Sequence, residues 1–258
     1  VTDHKKAPQQ GKNVAVKGDL GQSAAGKTDK NGELTVPEVE QTERHGVYIV
    51  GYTDGTFGPS RSMTRSEAAA IFARLLAEKN GDTISTAANT KFADIPAHAW
   101  YSGYVKYLSN NGITYGKSKT IFAPNDAITR AEFTTMAVRF FDVYGDGDAE
   151  IMEQFSGFND VSSGYWAAEY IKYAALHGWI NGYGDGSFHA DREINRAEVV
   201  TIVNRLLGRE ADEDYIADNL RKLNTFPDVT KRHWAYYAVM EAANAHTAVL
   251  GESESWSK

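Results

Sequence analysis

Apolar residues recur at helical spacing in several stretches of this 258-residue chain. In the clearest stretch they fall at i, i+4, i+7 and i+8, the spacing of one helix face: Trp166, Tyr170, Tyr173 and Ala174. Gly178 then follows where a helix-ending glycine is expected. Similar patterns, separated by turns rich in glycine and aspartate, predict further helices over these ranges: 64–77, 100–110, 129–141, 195–207 and 234–243.

The helices belong to a repeat. Thr64-Arg65-Ser66-Glu67 returns as Thr129-Arg130-Ala131-Glu132 and as Asn195-Arg196-Ala197-Glu198. Two complete copies, 92–141 and 158–207, have the same order: Phe-x-Asp, a tryptophan, a turn and this tetrapeptide. Residues 51–77 resemble only the second half of a copy, and residues 226–243 only the first half. Two halves and two whole copies make three units, which predicts a closed pseudo-threefold arrangement rather than an open solenoid with capped ends.

Composition limits the partners. Lysine and arginine number 27 against 34 aspartate and glutamate, a net charge of −7, which argues against a nucleic-acid footprint. An anionic ligand would therefore need locally placed cations. Without cysteine the fold uses neither disulfides nor thiolate-bound metal. No apolar run approaches the roughly 20 residues of a membrane span. Val1 opens the chain without a charged and then apolar leader, as expected of a mature or excised piece.

Three motifs in this order resemble the S-layer homology (SLH) domain, in three copies over about residues 45–250: Phe-x-Asp-Val with its tryptophan, Gly-Tyr-x-Asp-Gly-x-Phe, and Thr-Arg-Ala-Glu. The resemblance implies a mainly α-helical pseudo-trimer shaped like a three-pronged spindle, in a monomeric chain. It also implies a secreted protein held non-covalently at the bacterial cell surface by wall polysaccharide, often pyruvylated. Neither catalysis nor a cofactor is implied.

The repeats suggest a division of the chain. Residues 1–44, poor in large apolar side chains, are predicted to be a linker, with extended stretches from Leu34 and at 47–50. The remaining segments are the second half of unit 1, unit 2 with its linker, unit 3 with its linker, and the closing half-unit with a tail: 45–91, 92–157, 158–225 and 226–258.

The tetrapeptide has two interpretations. Thr-x-x-Glu is a capping box, which accounts for its outer residues. The arginines Arg65, Arg130 and Arg196 fall at the first helical position, where the helix dipole disfavours a cation by about 0.3–1 kcal/mol. Each arginine either pairs with a loop carboxylate such as Asp54 or Asp185, or joins free helix-start amides to hold a ligand carboxylate. The resemblance favours the second role, because the arginine of this motif binds ligand in that family.

Other candidates are less specific. The repeated tryptophans Trp100, Trp166 and Trp234 are most often core residues at such positions, so we expect a mixed role with a ring edge lining a groove. The loop residues Asp54, Gly55, Asp185 and Gly186 serve the turn first and a ligand second. Tyr52 and Tyr183 offer hydroxyls to a sugar. The middle loop, 113–122, lacks the Asp-Gly pair, so its pocket is the weakest prediction.

Three alternatives remain. An enzyme is disfavoured because the chain lacks a His-Glu-x-x-His helix, a Gly-x-Ser-x-Gly elbow and a P-loop, although a carboxylate pair for glycoside hydrolysis stays open. The seven histidines show no ligand spacing, so no metal is predicted; residues 29–33 and 142–148 only faintly suggest calcium. A protein-interaction module of the same fold is the third.

Overall fold

The computed structural model describes residues 13–17, 23–28, 34–35, 41–145, 155–251 and 254–257. Within these ranges the chain is mainly helical, as predicted, and its helices are α1 Arg65–Asn80, α2 Ser102–Asn110, α3 Arg130–Tyr144, α4 Ala168–Leu176, α5 Arg196–Leu207, α6 Glu213–Asn219 and α7 Tyr236–Ala243. A short 3-10 helix at Leu220–Lys222 follows α6. The strands are β1 Asn13–Lys17, β2 Ser23–Thr28, β3 Leu34–Thr35, β4 Gln41–His45, β5 His246–Leu250 and β6 Ser255–Ser257.

The three repeat helices α1, α3 and α5 begin at complete capping boxes, which confirms that interpretation of the tetrapeptide. At α1 the Thr64 hydroxyl accepts from the Glu67 amide, and the Glu67 carboxylate accepts from the Thr64 amide. The same reciprocal bonds form at the starts of α3 and α5. Each box satisfies two amide groups that a helix start otherwise leaves unpaired, a contribution of about 1 kcal/mol.

Each repeat helix packs against the shorter helix that follows it in the repeat order: α1 on α2, α3 on α4, and α5 on α7. The Phe-x-Asp motif connects the first half of each unit to the glycine-rich loop in its second half. Its phenylalanine contacts a fully buried phenylalanine at the end of a glycine-rich loop, with ring centroids 5.3, 5.5 and 5.2 Å apart in the pairs Phe226–Phe57, Phe92–Phe122 and Phe158–Phe188.

The aspartate of the same motif accepts two loop amides in each unit. Asp94 accepts from the amides of Phe122 and Ala123 at 2.9 and 2.6 Å. Asp160 accepts in the same way from the loop that ends at Phe188 and His189. Asp228 accepts from the amides of Phe57 and Gly58 at 2.9 and 2.7 Å. The half-unit that begins at residue 226 therefore contacts the half-unit around residue 57. The hydrogen bonds between them are equivalent to those found inside each of the two whole copies.

The segments that precede α1, α3 and α5 bond to one another in a cycle. The Met63 amide donates to the Ile194 carbonyl at 2.9 Å, Ile194 donates to Ile128 at 3.1 Å, and Ile128 donates to Met63 at 2.9 Å. All three side chains are fully buried. The three helix starts, together with their arginines, are thus held next to each other at one centre.

Two antiparallel sheets complete the described structure, in the orders β1-β2-β3 and β4-β5-β6. β4 pairs with β5, and His45 lies opposite His246 in their register. Residues 47–50 follow β4 without joining a sheet, so their predicted extended conformation stays a prediction. Tyr48 is buried, and its hydroxyl donates to the Asn204 side chain. β4 itself lies inside the segment predicted as a linker.

Every helix in the described ranges falls short of the length and apolarity needed to cross a bilayer. Of the two segments considered for calcium, residues 29–33 lie outside the described residues, and so do residues 146–148 of the second.

Candidate functional site

The repeat arginines Arg65, Arg130 and Arg196 are buried, with 4, 5 and 4 % of their surface exposed. The helix-start amides beside them already have partners. The amide of Arg65 donates to the Asp126 carbonyl and that of Ser66 to the Pro124 carbonyl, both at 3.0 Å, and the other two starts follow the same pattern. The prediction of free amides that help to hold a ligand carboxylate is therefore wrong.

Each guanidinium reaches from its own helix into the loop of another unit. Its Nε donates to the carbonyl of the buried loop phenylalanine, at 2.8 Å for Arg65 to Phe122, 2.9 Å for Arg130 to Phe188 and 2.8 Å for Arg196 to Phe57. Arg65 therefore contacts the middle loop, Arg130 contacts the loop at 180–188, and Arg196 contacts the loop at 50–57.

The carboxylate beside each arginine is the capping-box glutamate of a neighbouring repeat helix, rather than the loop aspartate weighed from the sequence. Arg65 lies 3.0 Å from Glu132 and Arg130 lies 3.2 Å from Glu198, whereas Arg196 and Glu67 are 4.0 Å apart. Each of these glutamates thus caps its own helix and also faces an arginine of another unit, a second function that the capping pattern alone does not indicate.

The loop residues Asp54 and Asp185 shape their turns. Asp54 accepts from the amide and hydroxyl of Thr56 at 2.9 and 2.6 Å, and Asp185 accepts in the same way from Ser187 at 3.0 and 2.6 Å. The following glycines, Gly55 and Gly186, have φ of 82° and 80°, a conformation that disfavours other residues. The turn role predicted for these residues is confirmed, and a ligand role for them stays a prediction.

Two tyrosines of the glycine-rich loops lie against the arginines. The Arg196 guanidinium is 4.6 Å from the centre of the Tyr52 ring, and that of Arg130 is 5.2 Å from Tyr183. The Tyr183 hydroxyl also donates to Glu198 at 3.2 Å. Counted back from the loop phenylalanine, the middle loop has Lys117 at this position, and Lys117 pairs with Asp126 at 2.7 Å. The loop that serves Arg65 therefore differs in its chemistry from the other two.

The three repeat tryptophans are exposed, with 54 % of Trp100, 57 % of Trp166 and 65 % of Trp234 accessible, so the expected core contribution is wrong. Each lies in the turn before a short helix, where the ring extends over the surface instead of into the helix interface. Trp166 and Trp234 are among the residues that line the two arginine grooves described next.

Two of the arginines open onto grooves. The Arg130 groove has a volume of about 220 Å³ and is lined by Arg130, Trp179, Ile180, Asn181, Gly182, Tyr183, Glu198, Thr201, Ile202, Arg205 and Trp234. The Arg65 groove has about 90 Å³ and is lined by Arg65, Ile113, Thr114, Tyr115, Gly116, Glu132, Thr135, Met136, Arg139 and Trp166. Each groove thus combines an arginine from one unit with a loop, a repeat helix and a tryptophan from others.

Each groove contains a second arginine that was not predicted from the sequence. Arg139 and Arg205 lie nine residues after Arg130 and Arg196, and Arg74 has the same spacing from Arg65. Arg139 is 4.8 Å from the ring centre of Tyr115 and donates to the Tyr170 hydroxyl at 3.2 Å. This repeated spacing was the signal that could have identified them.

Both grooves are locally cationic although the chain is acidic. Each is lined by two arginines and one glutamate, and the glutamate of the Arg130 groove, Glu198, also pairs with Arg192. Burial lowers the pKa of Arg130 and Arg196 from the ordinary arginine value, while the adjacent tyrosine and glutamate act in the opposite direction. Fixed guanidinium groups at a partly dry surface are the usual protein partners of carboxylates.

Comparison with known proteins agrees with this geometry. Residues 35–69, 91–134 and 157–200 match the S-layer homology domain family. The chain is 34 % identical to Cell surface glycoprotein 1 of Acetivibrio thermocellus over 81 % of its own length and 9 % of that protein. It is 30 % identical to the Cellulosome-anchoring protein of the same organism over 90 % of its length and 49 % of that protein.

A third relative is the Surface-layer 125 kDa protein of Lysinibacillus sphaericus, 32 % identical over 62 % of this chain and 13 % of that protein. The chain thus spans about half, or much less, of the length of these relatives. Each matched segment contains one arginine tetrapeptide. The three segments therefore include the starts of helices α1, α3 and α5. On the repeats, the matches and the shared surface-protein relatives, this chain belongs to the S-layer homology domain family.

Proposed function

We propose that this chain anchors a protein to the bacterial cell wall by non-covalent binding of an anionic wall polysaccharide, in its pyruvylated form. The observation that carries the proposal is the composition of the grooves, in which two arginines face an exposed tryptophan. Guanidinium groups suit the carboxylate of a pyruvyl ketal, and an exposed indole offers a flat apolar face to a sugar ring. The names of the relatives, which include a cellulosome-anchoring protein and surface-layer proteins, support wall attachment.

In this proposal the two arginines of a groove act differently. Arg130 is fixed by bonds to the carbonyls of Phe188 and Asn181, so it supplies an oriented charge at the base of the groove. Arg205 is exposed and lies near the rim with Trp234, where it can meet the ligand first. A buried charge that is already oriented loses little conformational entropy on binding, which favours affinity.

We further propose that the three sites are related by a closed pseudo-threefold arrangement. The cycle of backbone bonds through Met63, Ile128 and Ile194 supports this, as do the bonds from Asp228 to the loop at Phe57 and Gly58. The third site would combine Arg196, Tyr52 and Glu67 with Arg74 and Trp100, which occupy the positions equivalent to those in the two grooves.

Among the sites, we assign the principal binding role to the Arg130 groove. It has the larger volume, and its loop has the Asp-Gly turn and Tyr183. The Arg65 groove is smaller and draws on the middle loop, so we expect weaker binding there. The proposed activity is binding without turnover.

The test uses exposed side chains, because their removal leaves the core intact. Trp234→Ala and Arg205→Ala remove the rim of the Arg130 groove, and Val143→Ala, an exposed apolar residue outside both grooves, is the control. Loss of a tryptophan that anchors a ligand costs about 2 kcal/mol, so we expect Kd for purified, protein-free wall polymer to rise about 30-fold in Trp234→Ala. Val143→Ala should bind like the parent chain.

Several results would contradict the proposal. Equal binding by Trp234→Ala, Arg205→Ala and the parent chain would show that the polymer does not bind in the Arg130 groove. Undiminished binding to polymer whose ketal pyruvate has been removed would exclude the pyruvyl group as the ligand. Binding to wall proteins but not to protein-free polymer would indicate a protein-interaction module, and release of fragments from labelled wall would indicate an enzyme.

A further inference from the structure

Two histidines and two glutamates converge in the interior, away from the arginine grooves: His45, Glu241, His246 and Glu254. They come from four places in the fold, namely the end of β4, helix α7, the start of β5 and the residue before β6. The side chains of His45, Glu241 and His246 are at most 4 % exposed, and that of Glu254 is 5 % exposed. Ionisable groups at this depth require a partner that compensates for lost hydration.

Five of the six pairs among these residues have donor atoms 3.2–3.3 Å apart, and one ligand atom from each of the four residues lies within 4.8 Å of all the others. His45 Nδ1 is 3.2 Å from each of His246 Nε2, Glu241 Oε1 and Glu254 Oε1. His246 Nε2 is 3.3 Å from Glu241 Oε2 and 3.2 Å from Glu254 Oε1. With metal–ligand distances of about 2.0–2.2 Å, the ligand atoms of a tetrahedral zinc site lie about 3.3–3.6 Å apart. Five of the six residue pairs therefore already have nearly the spacing of such a site.

Hydrogen bonding among these atoms is insufficient. His246 Nδ1 lies 3.0 Å from the Asn244 carbonyl, which only accepts, so this nitrogen is the donor and the Nε2 of a neutral ring has a lone pair facing the cluster. His45 Nδ1 has at most one proton for three neighbours. The two oxygens of Glu241 lie 3.2 and 3.3 Å from histidine nitrogens of the cluster, but neither makes a hydrogen bond of good geometry among the described residues. Two carboxylates at this depth share few protons from the histidines, which is unfavourable, and a central cation would satisfy all four side chains.

Hydrogen bonds from the surroundings orient His246 and Glu254. The Asn244 carbonyl fixes the ring of His246, and the Glu43 carboxylate lies 4.0 Å from Nε2 of His45. The two oxygens of Glu254 accept from the indole Nε1 of Trp256 at 3.1 Å and from the Glu210 amide at 2.9 Å. Carbonyl or carboxylate groups behind ligand histidines, and donors behind ligand carboxylates, are the usual outer contacts of metal sites.

We propose that His45, Glu241, His246 and Glu254 bind one Zn²⁺ as a structural site that fastens β4 to α7, β5 and the start of β6. Two imidazoles with two carboxylates suit zinc, whereas Ca²⁺ prefers six to eight oxygen ligands and Mg²⁺ an octahedron of oxygens. Four protein ligands leave no open position, so the metal holds the fold together and does not activate water. The site joins residues about 200 positions apart at the β4–β5 pairing.

The site is absent from the sequence pattern because its residues follow no local motif. Glu241, His246 and Glu254 fall within one short stretch of sequence, whereas His45 precedes His246 by 201 positions. The prediction of no metal rested on histidine spacing along the chain, which cannot detect ligands brought together by strand pairing.

The test begins with the chain of residues 1–258, freed of metal by a chelator and titrated with Zn²⁺, Ca²⁺ or Mg²⁺. We expect one Zn²⁺ per chain and a rise in Tm of about 5–10 °C at a free Zn²⁺ concentration 100-fold above Kd. Glu241→Gln keeps the size of the side chain but removes its charge, and it should weaken Zn²⁺ binding at least about tenfold. His98→Gln, an exposed histidine outside the cluster, should bind Zn²⁺ as the parent chain does.

Substitution of Co²⁺ for Zn²⁺ in the parent chain gives a readout that needs no variant. Intense visible absorption would indicate four-coordinate geometry and support the proposal even if Glu241→Gln fails to fold. The proposal is overturned if Zn²⁺ does not bind, if Ca²⁺ or Mg²⁺ stabilises the chain equally, or if folded Glu241→Gln keeps the parent affinity. Weak, octahedral-type Co²⁺ absorption would likewise overturn it and indicate a metal-free cluster of protonated histidines and glutamates.

Discussion

Replacing Asp228 by asparagine tests how the two half-units are held together. Its carboxylate accepts from the amides of Phe57 and Gly58 at 2.9 and 2.7 Å, and Phe57 is 171 positions away in the chain. Asparagine keeps one oxygen acceptor and turns an NH₂ group towards the second amide. The substitution therefore weakens one charge-assisted bond and replaces the other by two facing donors.

A hydrogen bond to a charged group contributes about 1.5–3 kcal/mol, and the partial exposure of this pair favours the lower end. Because Asp228→Asn loses one such bond and weakens the other, we expect it to lower the free energy of unfolding by about 2–3 kcal/mol in total. The matched control is Asp94→Asn, because Asp94 makes the equivalent bonds to a loop only 28 positions away. Chemical denaturation followed by circular dichroism measures both variants.

The two variants should lose similar stability. The pairing of β4 with β5 and the packing of α5 on α7 already bring the distant segments together, so Asp228 does not by itself close the long loop. If Asp228 alone closed it, the difference in loop length would add about 1.6 kcal/mol to its effect. A loss in Asp228→Asn that exceeds the loss in Asp94→Asn by this amount would refute the reasoning.

Two further predictions concern charge. Burial raises the pKa of Asp228, but the two amides outweigh it and hold the pKa below the ordinary aspartate value. The stabilisation is therefore complete above about pH 4 and is lost as the pH falls through the folded-state pKa, so thermal melts of the parent chain and Asp228→Asn should converge in acid. Arg130→Ala removes bonds to Phe188, Asn181 and Glu198 and should cost about 2–4 kcal/mol in urea denaturation, whereas Arg205→Ala should change stability by no more than about 0.5 kcal/mol. Equal effects of the two arginine variants would contradict the buried role of Arg130.

Local patterns predicted the helices well. The capping residues Thr64, Thr129 and Asn195 mark the starts of α1, α3 and α5 as expected, because a capping box depends on residues three positions apart. The apolar spacing around Tyr170 likewise lies on α4, with Gly178 just after its end. Features set by neighbouring residues in the chain are therefore accessible without a structure.

Features set by distant residues were not predicted in detail. The sequence did not show that Arg65 enters the middle loop, or that Glu132 from another capping box faces it, because both contacts cross between units. The exposure of Trp234 also depends on which surface remains uncovered after the units meet. For the same reason the pairing of β4 with β5 was not predicted, because the two strands lie before the first repeat helix and after the last one in the sequence.

The order of the β4-β5-β6 sheet has a mechanical consequence. β4 and β6 both run antiparallel to β5, so they run parallel to each other, with Gln41 first in β4 and Ser257 last in β6. A force applied between residues 41 and 257 would therefore pull the two outer strands along their own axes in opposite directions. Under such shear the ladder bonds bear load together instead of breaking one at a time, so this sheet is oriented to resist tension.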